Sequence, residues 1–86
     1  MNQVTILTSN TCVYCHAAKS LLQRKGIDYQ EVDAVKDSEQ AQQLLAQSGR
    51  RTVPQIFINQ EPIGGFTELN QFFSSNETDL SKAPVI

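Results

Sequence analysis

Residues 4–16 read Val-Thr-Ile-Leu-Thr-Ser-Asn-Thr-Cys-Val-Tyr-Cys-His, a short apolar run followed by two closely spaced cysteines. The apolar run predicts a buried strand, Val4–Thr8, and the residues after the cysteines begin an amphipathic pattern that predicts a helix. Cys12 and Cys15 are the only cysteines of the 86-residue chain. Because open α/β sheets bind ligands where a strand ends and a helix begins, the pair is a candidate reactive site.

The remainder of the chain alternates between helical and strand-like patterns of apolar residues. The first helix is predicted to be capped by Asn10 or Thr11 and to end at Gly26, and a strand over 27–33 follows. A second helix is predicted from Asp37 or Ser38 to Gly49. After it come a strand over 53–58, a tight turn at 59–60, a short strand over 61–63 and a helix from Phe66 or Thr67. Asp37 and Gln40 have the spacing of a capping box, and Pro62 suits only an edge strand. Strand–helix–strand units imply parallel pairing, and the last two strands imply a hairpin. The sequence therefore predicts an α/β fold with a four-stranded mixed sheet and helices on both faces.

The composition indicates one small globular domain, which we expect to cover residues 1–86, with 40% hydrophobic and 19% charged residues. No apolar run approaches the roughly 20 residues that span a bilayer, so no membrane partner is expected. A net charge of −2 without a basic cluster argues against a nucleic-acid partner. The first residues lack the cationic start and apolar stretch of a leader, so we expect a cytoplasmic protein, whose thiols stay reduced.

The position of the two cysteines favours redox catalysis over a structural role. The unpaired amides and positive dipole end of a helix start favour the thiolate form of Cys12. Cys15 lies about one helical turn further along the same face, close enough to reach the Cys12 sulfur but deeper. We therefore expect Cys12 to attack and Cys15 to resolve, rather than two inert cysteines in a core.

Two other chemistries use the same residues. Zinc prefers four ligands, usually in two pairs, and the chain has no second pair, so we expect no metal site. Cys12, Cys15 and His16 also match the pattern for covalent haem attachment. An electron-transfer haem needs a second axial ligand, for which only Met1 remains, and a largely helical fold, which the alternating pattern contradicts. His16 is then a solvated residue of the helix.

Three motifs in this order resemble the glutaredoxin family: Cys12-Val13-Tyr14-Cys15, Thr52-Val53-Pro54 and Gly64-Gly65. The resemblance extends to about residue 75 and is to the small bacterial dithiol class, similar to glutaredoxin 3. It implies a thioredoxin fold, a four-stranded mixed sheet flanked by three helices. It also implies a glutathione-disulfide oxidoreductase that reduces protein disulfides and glutathione mixed disulfides, with glutathione as reducing co-substrate and no tightly bound cofactor.

The resemblance further implies where glutathione binds. Pro54 would follow a cis peptide bond opposite the nucleophile, and the Val53 backbone would pair with the cysteine of glutathione like a neighbouring strand. Gly64 and Gly65 would allow a close approach, and the start of the last helix would receive the γ-glutamyl carboxylate. Arg50 or Arg51 would attract the glycine carboxylate. The implied glutathione-binding residues are Tyr14, Arg50, Thr52, Val53, Pro54, Gly65, Phe66, Thr67 and Glu68.

Two positions depart from the family pattern: Val13 stands where proline is usual, and Ser9 where lysine is common. Some relatives without that proline hold an iron–sulfur cluster between two subunits, so a cluster carrier is an alternative. A redoxin reduced by thioredoxin reductase is another. The resemblance implies a monomer whose partners are glutathionylated or disulfide-containing proteins, ribonucleotide reductase among the candidates. Leu80, Val85 and Ile86 are candidate packing residues in the polar tail, 76–86.

Overall fold

The computed structural model describes residues 3–74, in which strands and helices alternate as the sequence predicts. The elements are β1 (Val4–Thr8), α1 (Val13–Arg24), β2 (Gln30–Asp33), α2 (Ser38–Ser48), β3 (Gln55–Ile58), β4 (Glu61–Gly64) and α3 (Phe66–Ser74). The candidate packing residues Leu80, Val85 and Ile86, and Met1, considered as the second axial ligand of a haem, lie outside the described residues.

The four strands form one mixed sheet in the order β2-β1-β3-β4. β1 runs parallel to β2 and antiparallel to β3, and β3 and β4 form an antiparallel hairpin. The tight turn between them has positive φ angles at Asn59 (53°) and Gln60 (70°). β4 lies at the edge of the sheet. Pro62 has no amide hydrogen to donate, and at an edge no further strand needs one. The predicted thioredoxin-like fold is confirmed.

The helices cover both faces of the sheet because successive side chains of β1 point in opposite directions. Ile6 belongs to a core formed with α1 and α3, whereas Leu7 packs with residues of α2 on the opposite face. The larger core is built from Val4, Ile6, Ala18, Leu21, Leu22, Ile56, Ile58, Ile63, Leu69, Phe72 and Phe73. None of the helices formed by residues 3–74 has the length and apolar character needed to cross a bilayer.

Two predicted strands begin later than expected. β2 starts at Gln30 rather than at residue 27, because Ile27 and Tyr29 pack against the larger core ahead of the first residue that pairs with β1. β3 starts at Gln55 rather than at residue 53, because Pro54 has no amide hydrogen for the ladder and the residues before it form a loop.

The predicted capping box of α2 is wrong. Asp37 is the N-cap residue, but its side chain makes no capping hydrogen bond to the helix. The Asp37 carboxylate instead accepts a hydrogen bond from the backbone amide of Asp33 at 3.0 Å. The carboxylate thus closes the turn after β2, a competing local bond that short polar side chains often make.

A polar contact joins β1, α1 and β2 near the carboxyl edge of the sheet. The buried Thr8 hydroxyl donates to the Glu31 carboxylate at 2.7 Å, and the Lys19 ammonium lies 3.1 Å from the same oxygen. The Thr8 hydrogen bond, helped by Lys19, holds the pKa of Glu31 below its ordinary value of 4.5. The ionised carboxylate is therefore stabilised more in the folded chain than in the unfolded one.

We expect the substitution Glu31→Gln to lower the free energy of unfolding in a pH-dependent way. The lowered pKa contributes stability above the unfolded value of 4.5, and this contribution disappears as the pH falls through the folded pKa. Urea unfolding of both proteins between about pH 7 and pH 2 measures it: the difference should shrink toward zero at the acid end. A difference that stays constant over this range would contradict the assignment.

Candidate active site

Cys12 is the N-cap residue of α1, a position that we predicted for Asn10 or Thr11. Its extended backbone (φ −94°, ψ 113°) turns the side chain back over the helix start, where the sulfur accepts the backbone N–H of Cys15 at 3.1 Å. A sulfur thus does what an oxygen does in ordinary N-caps. The Cys15 amide and the start of α1 therefore both face the Cys12 sulfur.

Cys15 occupies a very different environment from Cys12. It is fully buried, whereas Cys12 is partly exposed, and both are free thiols. Burial, together with the hydrogen bond to Cys12, raises the pKa of Cys15 to about 12. The two thiols are in contact, but only Cys12 is accessible to a substrate disulfide.

The loop before β3 lies directly beside Cys12. The Cys12 sulfur is 3.6 Å from the carbonyl oxygen of Val53, a residue 41 positions later in the chain. The Val53–Pro54 peptide bond is cis, as the family resemblance implies. Val53 is partly buried and Pro54 is buried, so the loop forms one wall next to the exposed sulfur.

Gly64, the last residue of β4, and Gly65 connect β4 to α3, and Gly65 lies against this loop. A Cβ atom at Gly65 would lie 3.1 Å from the Pro54 carbonyl oxygen, a separation that side chains rarely tolerate. Gly64 has a positive φ of 121°, and a Cβ there would lie 2.6 Å from the Glu68 carboxylate. The chain thus passes close to the Pro54 carbonyl at Gly65 and close to the Glu68 side chain at Gly64, and α3 begins directly afterwards.

Two exposed side chains, one aromatic and one apolar, follow Cys12 directly in the first turn of α1. The Tyr14 ring, 64% exposed, contacts the Phe66 ring with centroids 5.9 Å apart. This contact links the first turn of α1 to the first residue of α3. Val13, between the cysteines, is 77% exposed and presents an apolar surface to solvent. A peptide that approaches Cys12 would meet both side chains.

The two candidate arginines point to different parts of the molecule. The Arg50 guanidinium lies 3.3 Å from the Glu68 carboxylate, which places it at the start of α3. Arg51 instead lines a shallow depression with Leu45, Ala46 and Gly49, next to α2. Of the two, only Arg50 lies on the side of the predicted glutathione residues.

The other predicted residues lie near the same edge of the sheet. Thr52 is exposed and precedes Val53, and Thr67 is exposed in the first turn of α3. The Ser9 carbonyl accepts a hydrogen bond from the Cys12 amide at 3.3 Å. Ser9, where the family commonly has lysine, therefore lies in the turn that leads to the nucleophile. His16 is exposed, as expected. Residues 3–74 contain no cluster of three or more His, Cys, Asp or Glu side chains placed to hold a metal.

Sequence reasoning missed Gln55, a buried residue behind the Val53–Pro54 loop. Its side-chain amide donates to the carbonyl oxygens of Arg50 and Thr52. A signal was available: Gln55 is the one polar residue in the strand Gln55–Ile58, whose other members are apolar and buried.

Comparisons with known proteins agree with this geometry. The family model described as Glutaredoxin matches residues 4–63. Glutaredoxin 3 of Escherichia coli K12 is 45% identical over 69 residues, which cover 80% of this chain and 83% of that protein.

Solved structures of glutaredoxins have the same fold. The crystal structure of a buckwheat glutaredoxin–glutathione complex matches with a TM-score of 0.75 at 29% identity, over 87% of this chain and 71% of that one. NrdH-redoxin from Escherichia coli, a glutaredoxin-like protein with a thioredoxin-like activity profile, matches with a TM-score of 0.66 at 34% identity, over 74% and 83% of the two chains. With its reactive-thiol geometry and these relatives, the chain belongs to the glutaredoxin family as a thiol–disulfide oxidoreductase similar to glutaredoxin 3.

Proposed function

We propose that this protein uses glutathione to reduce glutathione mixed disulfides and protein disulfides. The observation that carries the proposal is the difference between its two thiols. Cys12 is partly exposed and its sulfur accepts a hydrogen bond from a backbone amide, whereas Cys15 is buried with a pKa of about 12. A nucleophile must be accessible to the substrate, and a resolving thiol must reach the first sulfur and give up its proton as it attacks.

The reaction then has two sulfur transfers. The Cys12 thiolate attacks the glutathione sulfur of a mixed disulfide, and the released protein thiolate takes up a proton. The Cys12–glutathione disulfide is cleaved by a second glutathione thiolate, which yields oxidised glutathione and restores the Cys12 thiolate. For a protein disulfide, the Cys12 thiolate attacks one substrate sulfur and releases the first substrate thiol. Cys15 then gives up its proton and attacks the Cys12 sulfur, which forms the Cys12–Cys15 disulfide and releases the second substrate thiol. Two glutathiones reduce that disulfide in two exchanges and leave as oxidised glutathione.

Several contacts near Cys12 support glutathione as the reductant. The Val53 backbone lies beside the sulfur, where its polar groups are placed for strand-like pairing with a peptide. Backbone amides at Phe66 and Thr67, in the first turn of α3, suit a carboxylate. Arg50 provides a cation on the same side, and Tyr14 with Phe66 provides an apolar flank. The buckwheat neighbour is a glutathione complex, which supports the same ligand here.

We further propose a cytoplasmic setting, in which glutathione keeps such thiols reduced. The substrates would be glutathionylated or disulfide-containing proteins, with ribonucleotide reductase as one candidate. The exposed apolar side chains of Val13 and Tyr14 beside Cys12 support a peptide or protein substrate.

The choice of reductant tests the proposal directly. The purified protein should consume NADPH with glutathione, glutathione reductase and a small glutathione mixed disulfide. It should be inactive with NADPH and thioredoxin reductase alone. The opposite result would assign the protein to the thioredoxin-reductase-dependent redoxins. A visible absorption band after anaerobic reconstitution with iron and sulfide would instead support the cluster-carrier alternative.

Serine substitutions separate the roles of the two cysteines. Cys12→Ser should reduce turnover to background with every substrate, because no attacking sulfur remains. Cys15→Ser should keep glutathione-dependent deglutathionylation but lose the reduction of protein disulfides by the dithiol route. The same NADPH-coupled assay measures both. Equal loss in the two variants toward the mixed disulfide would contradict the assignment.

Alkylation reports the environments of the two thiols without any substrate. Iodoacetamide at about pH 8 should modify Cys12 and spare Cys15 in the folded protein, because Cys15 is buried and its pKa is raised to about 12. Peptide mass spectrometry identifies the modified residue. The control is the same reaction in urea, where both cysteines should react. Similar rates at both sites in the folded protein would contradict the geometry.

A further inference from the structure

Gln55 is a buried polar residue in a place where the fold prefers apolar ones. It is 3% exposed, and among residues 3–74 the only other buried polar side chain is that of Thr8. Gln55 is the first residue of β3 and pairs with Leu7 of β1. Because a buried amide loses its hydration, its retention here requires hydrogen bonds that compensate for the loss.

Both hydrogens of the Gln55 amide are used on one loop. Nε2 donates to the Arg50 carbonyl at 2.8 Å and to the Thr52 carbonyl at 2.7 Å. The opposite orientation of the amide would place its oxygen against two carbonyl oxygens, so the hydrogen bonds define which end is nitrogen. One side chain thus joins two backbone positions of the segment that leads to Val53.

The oxygen end of the Gln55 amide, in contrast, lowers the stability of the folded chain. Its Oε1 atom is buried and has no hydrogen-bond partner in the protein. Gln55 also lines a cavity of about 10 Å³ together with Ser48, Pro54 and Gly65, a volume close to the minimum for one water. An apolar side chain of the same size would not bury an oxygen without a partner. The presence of glutamine here instead of such a side chain therefore points to a role for its two donor hydrogen bonds.

The loop that Gln55 holds carries four of the proposed glutathione-binding residues: Arg50, Thr52, Val53 and Pro54. Gln55 lies behind this loop, on the sheet face that carries Leu7, and bonds to its backbone. We propose that Gln55 is a positioning residue, which holds the backbone of residues 50–54 in the conformation that binds glutathione. The inference rests on the proposed glutathione-dependent function, and it adds a residue that acts through the loop.

The substitution Gln55→Met tests this role, because methionine has a similar volume and shape but no donor. The KM for glutathione should rise about fivefold or more, with less than about a twofold change in the rate at saturating glutathione. Amide hydrogen exchange at residues 52 and 53 should become faster. The rate of Cys12 alkylation should not change, because the contacts of that sulfur with α1 are intact. The variant should be about as stable as the wild type, because the substitution also removes the buried Oε1 atom that has no hydrogen-bond partner.

The matched control is Thr8→Val, which removes the other buried polar group from the neighbouring strand without touching the loop. It should leave both the KM for glutathione and the exchange at residues 52 and 53 unchanged. If Gln55→Met does not fold, Gln55→Asn keeps the amide on a shorter side chain that cannot reach both carbonyls, and the same changes are expected.

Three results would overturn the inference. An unchanged KM and unchanged exchange in a folded Gln55 variant would overturn it alone, since the wild type would still use glutathione. Parallel losses of stability and of the saturated rate in Gln55→Met, with an unchanged KM, would assign Gln55 a merely structural role. A wild-type protein that turns over without regard to glutathione would overturn the proposed function first, and this inference with it.

Discussion

The antiparallel pairing of β1 with β3 is the constraint on which the site depends. β1 ends just before the turn to Cys12, and β3 begins just after Pro54, with Leu7 opposite Gln55. Antiparallel partners that meet in this register place the end of one strand beside the start of the other. The sulfur of Cys12 therefore lies next to the Val53 carbonyl, although the two residues are far apart in the chain. A slip of one residue would turn the strand's side chains to the wrong faces.

The second determinant is the helical period after Cys12. Three residues of helix place Cys15 under Cys12 and direct it into the core, while Cys12 stays at the surface. Two chemically identical side chains thereby acquire opposite properties: one amide donates to the outer sulfur, and burial suppresses ionisation of the inner thiol. The direction of the proposed reaction therefore follows from one helix start, with no additional charged side chain at Ser9.

Features that depend on local patterns were predictable from the sequence, and features that depend on distant backbone atoms were not. The apolar period of β1 and the two cysteines predict the strand, the helix and the reactive edge. The helix caps were less predictable, because several neighbouring polar residues could make each capping bond. Cys12 caps α1 where Asn10 or Thr11 was expected, and the Asp37 carboxylate bonds to the Asp33 amide instead of capping α2. The role of Gln55 depends on two carbonyls in a loop, and no residue pattern records where carbonyls point.

The choice between Arg50 and Arg51 shows the same limit and bears on how a carboxylate is attracted. Adjacent residues leave a loop in different directions, and only Arg50 reaches Glu68. A ligand carboxylate at Arg50 must compete with Glu68, but an exposed ion pair of this kind contributes only about 0–1 kcal/mol. The competition from Glu68 is therefore weak, and the attraction of a ligand carboxylate by this single paired arginine is weak as well. With serine at position 9, most of the proposed recognition falls to backbone groups of the Val53 loop and the start of α3. Those groups are effective only while the loop is held in place, which is the reason that a buried amide behind it matters.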